Sequence, residues 1–126
     1  METTFATAIN CIDGRVQIPV IDWMKKEYAV QYVDMITEPG PNKILAENTD
    51  EAKLESIRRR LEISVANHNS KVVAIAGHYD CAGNPVDIEC QLKHIFTAIQ
   101  VVKEWNMGIK VVGLWVGENW QVGAVA

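Results

Sequence analysis

Lys71-Val72-Val73-Ala74-Ile75-Ala76-Gly77 carries no charge after its first residue and does not alternate apolar with polar side chains. A strand with one face in water alternates. A continuous β-branched run is a strand covered on both faces, as in a parallel sheet between helices. Upstream, Thr49 followed by Asp50 and Glu51 marks the start of a helix. Its buried stripe is Leu54, Ile57, Leu61 and Val65, with Arg58, Arg59 and Glu62 outside. Downstream, a loop from His78 to Pro85 leads to a long helix carrying Ile88, Leu92, Ile95, Phe96, Ile99 and Val102, ended by Gly108. Ile109 to Val116 is a further strand. The tail beyond Gly117-Glu118-Asn119-Trp120 suits a short edge strand.

Further out, residues 5–12 read as a first strand that ends at the turn Asp13-Gly14-Arg15. Pro19 opens a helix with Val20, Trp23, Met24 and Tyr28 on one side. Tyr32-Val33-Asp34-Met35-Ile36 is a second strand, closed by the breakers Glu38-Pro39-Gly40-Pro41-Asn42. Strands alternating with helices make an α/β fold with a parallel sheet. No repeat or linker interrupts the chain, and residues 1–126 are expected to form a single domain. With strands one and three as neighbours, the winding reverses between them, and open α/β sheets place their sites at that reversal. Cys11-Ile12-Asp13-Gly14-Arg15 and His78-Tyr79-Asp80-Cys81 are the two strand ends that meet there.

Composition excludes several functions. The 126 residues are 48% hydrophobic and 22% charged, the balance of a globular protein and not of a disordered one. A net charge of −4, with no basic stripe beyond Arg58-Arg59-Arg60, argues against nucleic acid as a partner. Apolar runs fall far short of the ~20 residues that cross a bilayer, so no membrane partner is expected. Met1-Glu2-Thr3-Thr4-Phe5 shows no basic segment leading into an apolar one, and the expected compartment is the cytoplasm. Three cysteines make an odd number, too few for a disulfide framework. In a reducing compartment they read as metal ligands, nucleophiles or core fillers.

Cys11, His78 and Cys81 bring two thiols and an imidazole to adjacent strand ends, a donor set that suits zinc. Three ligands without a fourth are the arithmetic of a catalytic ion. Cys90 sits inside a helix and reads as a filler of its face, and neither His68 nor His94 has a route to the site. Asp13 either binds the metal itself or hydrogen-bonds its water, and Arg15 offers a planar fork to hold that carboxylate off the ion. Two thiolates donate more charge than imidazoles, so activity is expected to rise into the alkaline range. A phosphate-binding Cys-x5-Arg loop is excluded, because Arg15 follows Cys11 by four residues.

Cys11-x-Asp13-x-Arg15 followed by His78-x-x-Cys81 resembles the β-class carbonic anhydrases, and the similarity reaches to about Val122 through Val112-Gly113-Leu114-Trp115-Val116. The resemblance implies zinc bound by Cys11, His78 and Cys81, with Asp13 and Arg15 as the orienting dyad. It implies hydration of carbon dioxide to bicarbonate by zinc-bound hydroxide. It further implies a four-stranded parallel sheet in the order 2-1-3-4 with helices on both faces, and a homodimer or dimer of dimers. Three features depart from the family pattern. An N-terminal helical arm is not evident, the loop Thr37-Glu38-Pro39-Gly40-Pro41-Asn42 lacks the usual Arg, and Ala82 stands between Cys81 and Gly83. These changes fall on pocket walls, so relatives that hydrolyse carbon disulfide or carbonyl sulfide on the same zinc site supply the alternative substrates.

A different class of function is a thiol redox pair of Cys11 and Cys81, or a zinc-binding module without chemistry. Neither uses Asp13 or Arg15. Asp80 reads as a turn or capping residue. Tyr79 is placed to line the cavity, and Trp115 and Trp120 suit a dimer interface or a core rim equally.

Overall fold

Strand β3 (Val72–His78) is buried at every position, the outcome its unbroken apolar run demands. Strand β1 (Phe5–Cys11) lies on one side of it and β4 (Lys110–Val116) on the other. Strand β2 (Tyr32–Glu38) flanks β1, and the short β5 (Val122–Ala124) pairs antiparallel with β4 at the far edge. In the computed structural model, which describes residues 3–126, the sheet order is β2-β1-β3-β4-β5 with the four long strands parallel. The expected 2-1-3-4 sheet and the edge strand are both present.

Helix α1 (Gln17–Tyr28) covers one face, where Val20 and Met24 meet Ala6, Ala8, Ala74 and Ala76. Those small strand residues let a lone helix approach the sheet closely. The other face carries larger side chains. Ile9, Val73 and Ile75 pack there against Ile57 and Leu61 of α3 (Glu51–His68) and Ile95 and Ile99 of α4 (Ile88–Lys103). Each fully buried side chain of this size stabilises the fold by about 1.5–3 kcal/mol.

Several local expectations are corrected. The breakers Glu38–Asn42 do not merely close β2. They start an unexpected helix, α2 (Pro41–Glu47), in which Gly40 turns the chain at φ 62° and Pro41 takes the first helical position. A missing N–H costs nothing there. Helix α1 begins at Gln17, after a 3-10 turn over Gly14–Val16, so Pro19 lies within its first turn instead of opening it. Asp50, not Thr49, caps α3, its carboxylate accepting from Lys53 N at 3.2 Å. Helix α4 stops at Lys103, and Asn106 and Gly108 turn the chain in the left-handed region afterwards. Of its expected stripe, Ile88 and Phe96 are exposed, while Gln91 is buried in their place.

One break in the ladders creates the site. β1 and β3 pair only over Thr7–Ile9 and Val73–Ile75. Yet β1 stays on β2 as far as Cys11, and β3 stays on β4 as far as His78. Past Ile9 and Ile75 the sheet therefore opens between its two central strands. The crevice falls at their carboxyl ends, where the winding reverses.

Candidate metal centre

Cys11 is the last residue of β1 and His78 the last of β3, and a tight turn brings Cys81 back to them. All three are buried, and one donor atom from each lies within 4.8 Å of the others. The sulfurs of Cys11 and Cys81 stand 3.8 Å apart, and both cysteines are free. Two Zn–S bonds of ~2.3 Å at a tetrahedral angle would separate the sulfurs by about 3.8 Å, so the pair already has the spacing a zinc ion needs. His78 Nδ1 lies 2.7 Å from the Tyr79 carbonyl oxygen, which can only accept, so Nδ1 carries the proton. Its Nε2 is buried with no hydrogen-bond partner among the described residues. A buried nitrogen lone pair beside two thiols is costly unless something binds it. The donor set fits zinc.

The electrostatics agree. Cys11 is held down to about 4, chiefly by a hydrogen bond from Cys81, and further by His78 and the backbone amides of Gly40 and Asp13, while burial opposes. Cys81 is pushed up by its hydrogen bond with Cys11 and by burial. Burial by itself would lower His78, but the neighbouring Cys11 sulfur, the Tyr79 carbonyl it bonds and the charge of Asp13 raise it.

Asp13 and Arg15 form a fork on the 3-10 turn. Asp13 Oδ2 accepts from Arg15 Nη2 at 2.7 Å, and Oδ1 accepts from Arg15 Nε at 3.0 Å and from its backbone N at 2.9 Å. These bonds hold the Asp13 carboxyl down at about 2. Gln17 pins the same turn, donating from Nε2 to the carbonyls of Cys11 at 2.6 Å and Asp13 at 2.9 Å.

The remaining predicted residues are dispersed. His68 closes α3 and bonds Asp34 at 2.6 Å, and His94 meets the Asn84 side chain at 2.9 Å. Cys90 is half-buried in the first turn of α4. Asp80 is a turn residue at φ 57°.

Sequence reasoning missed the polar frame behind the site. Asn42 donates to Gln91 Oε1 at 2.7 Å, and Gln91 Nε2 donates to the Asn84 carbonyl at 2.8 Å, all three side chains being buried. The frame ties α2 and α4 to the loop after Cys81. Gly77 belongs to it, since a Cβ there would stand 2.7 Å from Gln91 Oε1 and 2.9 Å from Asn42 Nδ2. The signal available was Gln91 itself, a polar residue on the stripe side of an amphipathic helix.

A cavity of about 520 Å³ reaches Cys81, lined by Tyr79, Pro85, Val86, Ile88 and Trp115 together with Asp80, Asp87 and Glu118. A roomier cavity of about 700 Å³ lies among the starts of β1, β3 and β4 and touches no residue of the cluster. Of the two, the smaller one touches the cluster, at Cys81. No helix among the described residues is long and apolar enough to cross a membrane.

Comparison with known proteins points the same way. Residues 1–126 match the family described as "Putative carbonic anhydrase". No curated protein matches the sequence. Among solved structures, the carbonic anhydrase from Glaciozyma antarctica is similar with a TM-score of 0.59 at 13% identity, over 96% of this chain and 81% of that one. A tetrameric β-carbonic anhydrase of Sordaria macrospora gives 0.59 at 15% identity, over 100% and 82%. The β-carbonic anhydrase CafA of Aspergillus fumigatus gives 0.51 at 18% identity, over 98% and 76%. At such identities these structures speak for the fold.

Proposed function

The chain belongs to this carbonic anhydrase family, and from that premise we propose that it hydrates carbon dioxide to bicarbonate and a proton, with zinc held by Cys11, His78 and Cys81. The observation that carries the reading is the buried Cys-His-Cys cluster with an unpartnered His78 Nε2, at a break in the sheet beside a carboxylate–guanidinium fork. When bound, zinc would act as a Lewis acid that makes water acidic enough to serve as nucleophile. The protein's own groups would supply orientation. Asp13, kept ionised by Arg15, can only accept hydrogen bonds. A donor O–H beside it must point at the carboxylate, which leaves the oxygen's lone pair aimed at the electrophile.

The cavity supports an uncharged, apolar substrate, since Val86, Ile88 and Trp115 offer carbon dioxide contact without competing for it by hydrogen bonds. Asp80, Asp87 and Glu118, which also line it, would favour departure of the anionic product. Ile12, Ile18, Tyr79 and Ile88 are exposed large hydrophobics near these strand ends. We assign them to contact with a second copy of the chain, which would close the cavity from water. Stopped-flow measurement of carbon dioxide hydration by the zinc-loaded protein tests the reading. Catalysis that Cys81→Ser abolishes is the expected result, and a fully zinc-loaded wild-type protein no faster than buffer would overturn it.

A further inference from the structure

Arg15 is gripped on more sides than its role as a partner of Asp13 requires. Its Nε and Nη2 face Asp13, while Nη1 reaches Asp80 Oδ2 at 3.3 Å and Nη2 also donates to the Asp80 carbonyl at 3.2 Å. The guanidinium carbon lies 4.5 Å from the ring centroid of Trp120. A carboxylate, a second carboxylate with its carbonyl, and an aromatic face thus surround one exposed side chain. Arg suits this cage as Lys would not, because its planar group can stack and fork at the same time.

The backbone marks the same two residues independently. Asp80 at φ 57° and Trp120 at φ 58° both lie in the left-handed region. Asp is tolerated there, but a bulky aromatic is a genuine outlier that the surroundings must hold in place. Trp120 closes the turn Gly117–Trp120, its N–H donating to the Gly117 carbonyl at 2.9 Å. Glycine would make that turn at less cost. Trp holds the position by what its ring touches, the apolar cluster between α1 and the sheet on one side and Arg15 on another.

We propose that Trp120 and Asp80 are positioning residues that clamp Arg15, and through it hold the Asp13 carboxylate in one orientation beside the Cys11–His78–Cys81 cluster. The clamp draws one residue from the turn between His78 and Cys81 and another from the turn before β5. It therefore ties Asp13, just past β1, to the turns that follow β3 and β4. An exposed ion pair by itself would leave Arg15 free to exchange among rotamers. The stack restricts it. The effect on turnover rests on the carbon dioxide reading, whereas the restraint on Arg15 does not.

The test pairs kinetics with a signal that needs no turnover. In nitrogen-15 labelled zinc-loaded protein, the Arg15 Nε–H resonance should carry the ring-current shift of Trp120. Trp120→Gly relaxes the backbone while deleting the ring. It should abolish that shift and lower kcat about tenfold at unchanged KM and zinc content. Trp120→Phe, which keeps a stacking face, should restore most of both. Asp80→Asn, which keeps the carbonyl contact, should lower kcat less than Trp120→Gly. An Arg15 resonance that does not move in Trp120→Gly overturns the clamp. A resonance that moves while kcat stays at the wild-type value overturns its role in positioning. Should the zinc-loaded wild type fail to hydrate carbon dioxide while the resonance moves as expected, the functional reading falls and the restraint on Arg15 stands.

Discussion

Gly83 and Gly40 touch backbone to backbone: a methyl on Gly83 would stand 2.7 Å from Gly40 N, and one on Gly40 would stand 2.8 Å from Gly83 C. Gly40 starts α2 and presents its amide to Cys11, while Gly83 follows Cys81 by two residues. The contact therefore sets how closely the loop after Cys81 can approach the β2–α2 turn that faces Cys11. Gly83→Ala must push them apart, because backbone and not a flexible side chain is in the way. A cost of about 1–3 kcal/mol, read as a lower urea midpoint, should accompany weaker zinc retention.

Metal content follows from the cluster. Protein purified without added metal should hold about one zinc per chain, and His78→Ala or Cys81→Ser should hold little or none. Atomic emission on the purified variants measures this directly. Cys90→Ser should leave it unchanged, since Cys90 stands on α4 outside the cluster.

Arg15 and Asp13 should separate orientation from metal binding. Arg15→Ala and Asp13→Asn are each expected to lower kcat by about 10–100-fold while zinc stays bound. Parallel loss of zinc would show that the fork supports the ligands instead of the nucleophile.

Tyr28 makes stability fall at high pH. Burial first, and then the charge of Glu27, raise its pKa above the ordinary value near 10. Between the unfolded and folded values the unfolded chain has released the phenolic proton and the folded chain has kept it. Unfolding then gains as pH rises, and stability declines through that window. Tyr28→Phe should flatten the decline in urea midpoints measured from pH 9 to 11, relative to wild type.

Ile18 is 69% exposed on the first turn of α1, so Ile18→Asp should leave the chain folded. Sedimentation should nevertheless show a shift from dimer toward monomer if a second copy covers it. A monomeric wild type, or a variant unchanged in mass, would remove the interface from the proposal.

The fold was legible because burial on two faces writes itself into a strand. Val72–Gly77 has no polar residue to place in water, and only a sheet between helices accepts it. Helix α2 was not legible, since Pro and Gly punctuate a loop and open a helix equally well. The exposure of Ile88 and Phe96 was hidden for a related reason: apolar spacing names a face without saying what covers it.

Residue types at strand ends were enough to nominate Cys11, His78, Cys81, Asp13 and Arg15, because the chemistry of sulfur, imidazole and guanidinium is local to each side chain. What the sequence by itself determined is thus the donor set and the parallel sheet that presents it. Only the tertiary structure decided the 3.8 Å between the two sulfurs, the orphaned Nε2 of His78, and the ring of Trp120 over Arg15. Those depend on where the β1–β3 ladder breaks and on backbones meeting at Gly40 and Gly83. Such distances join residues up to 105 positions apart, as Arg15 and Trp120 are, and no local pattern encodes them.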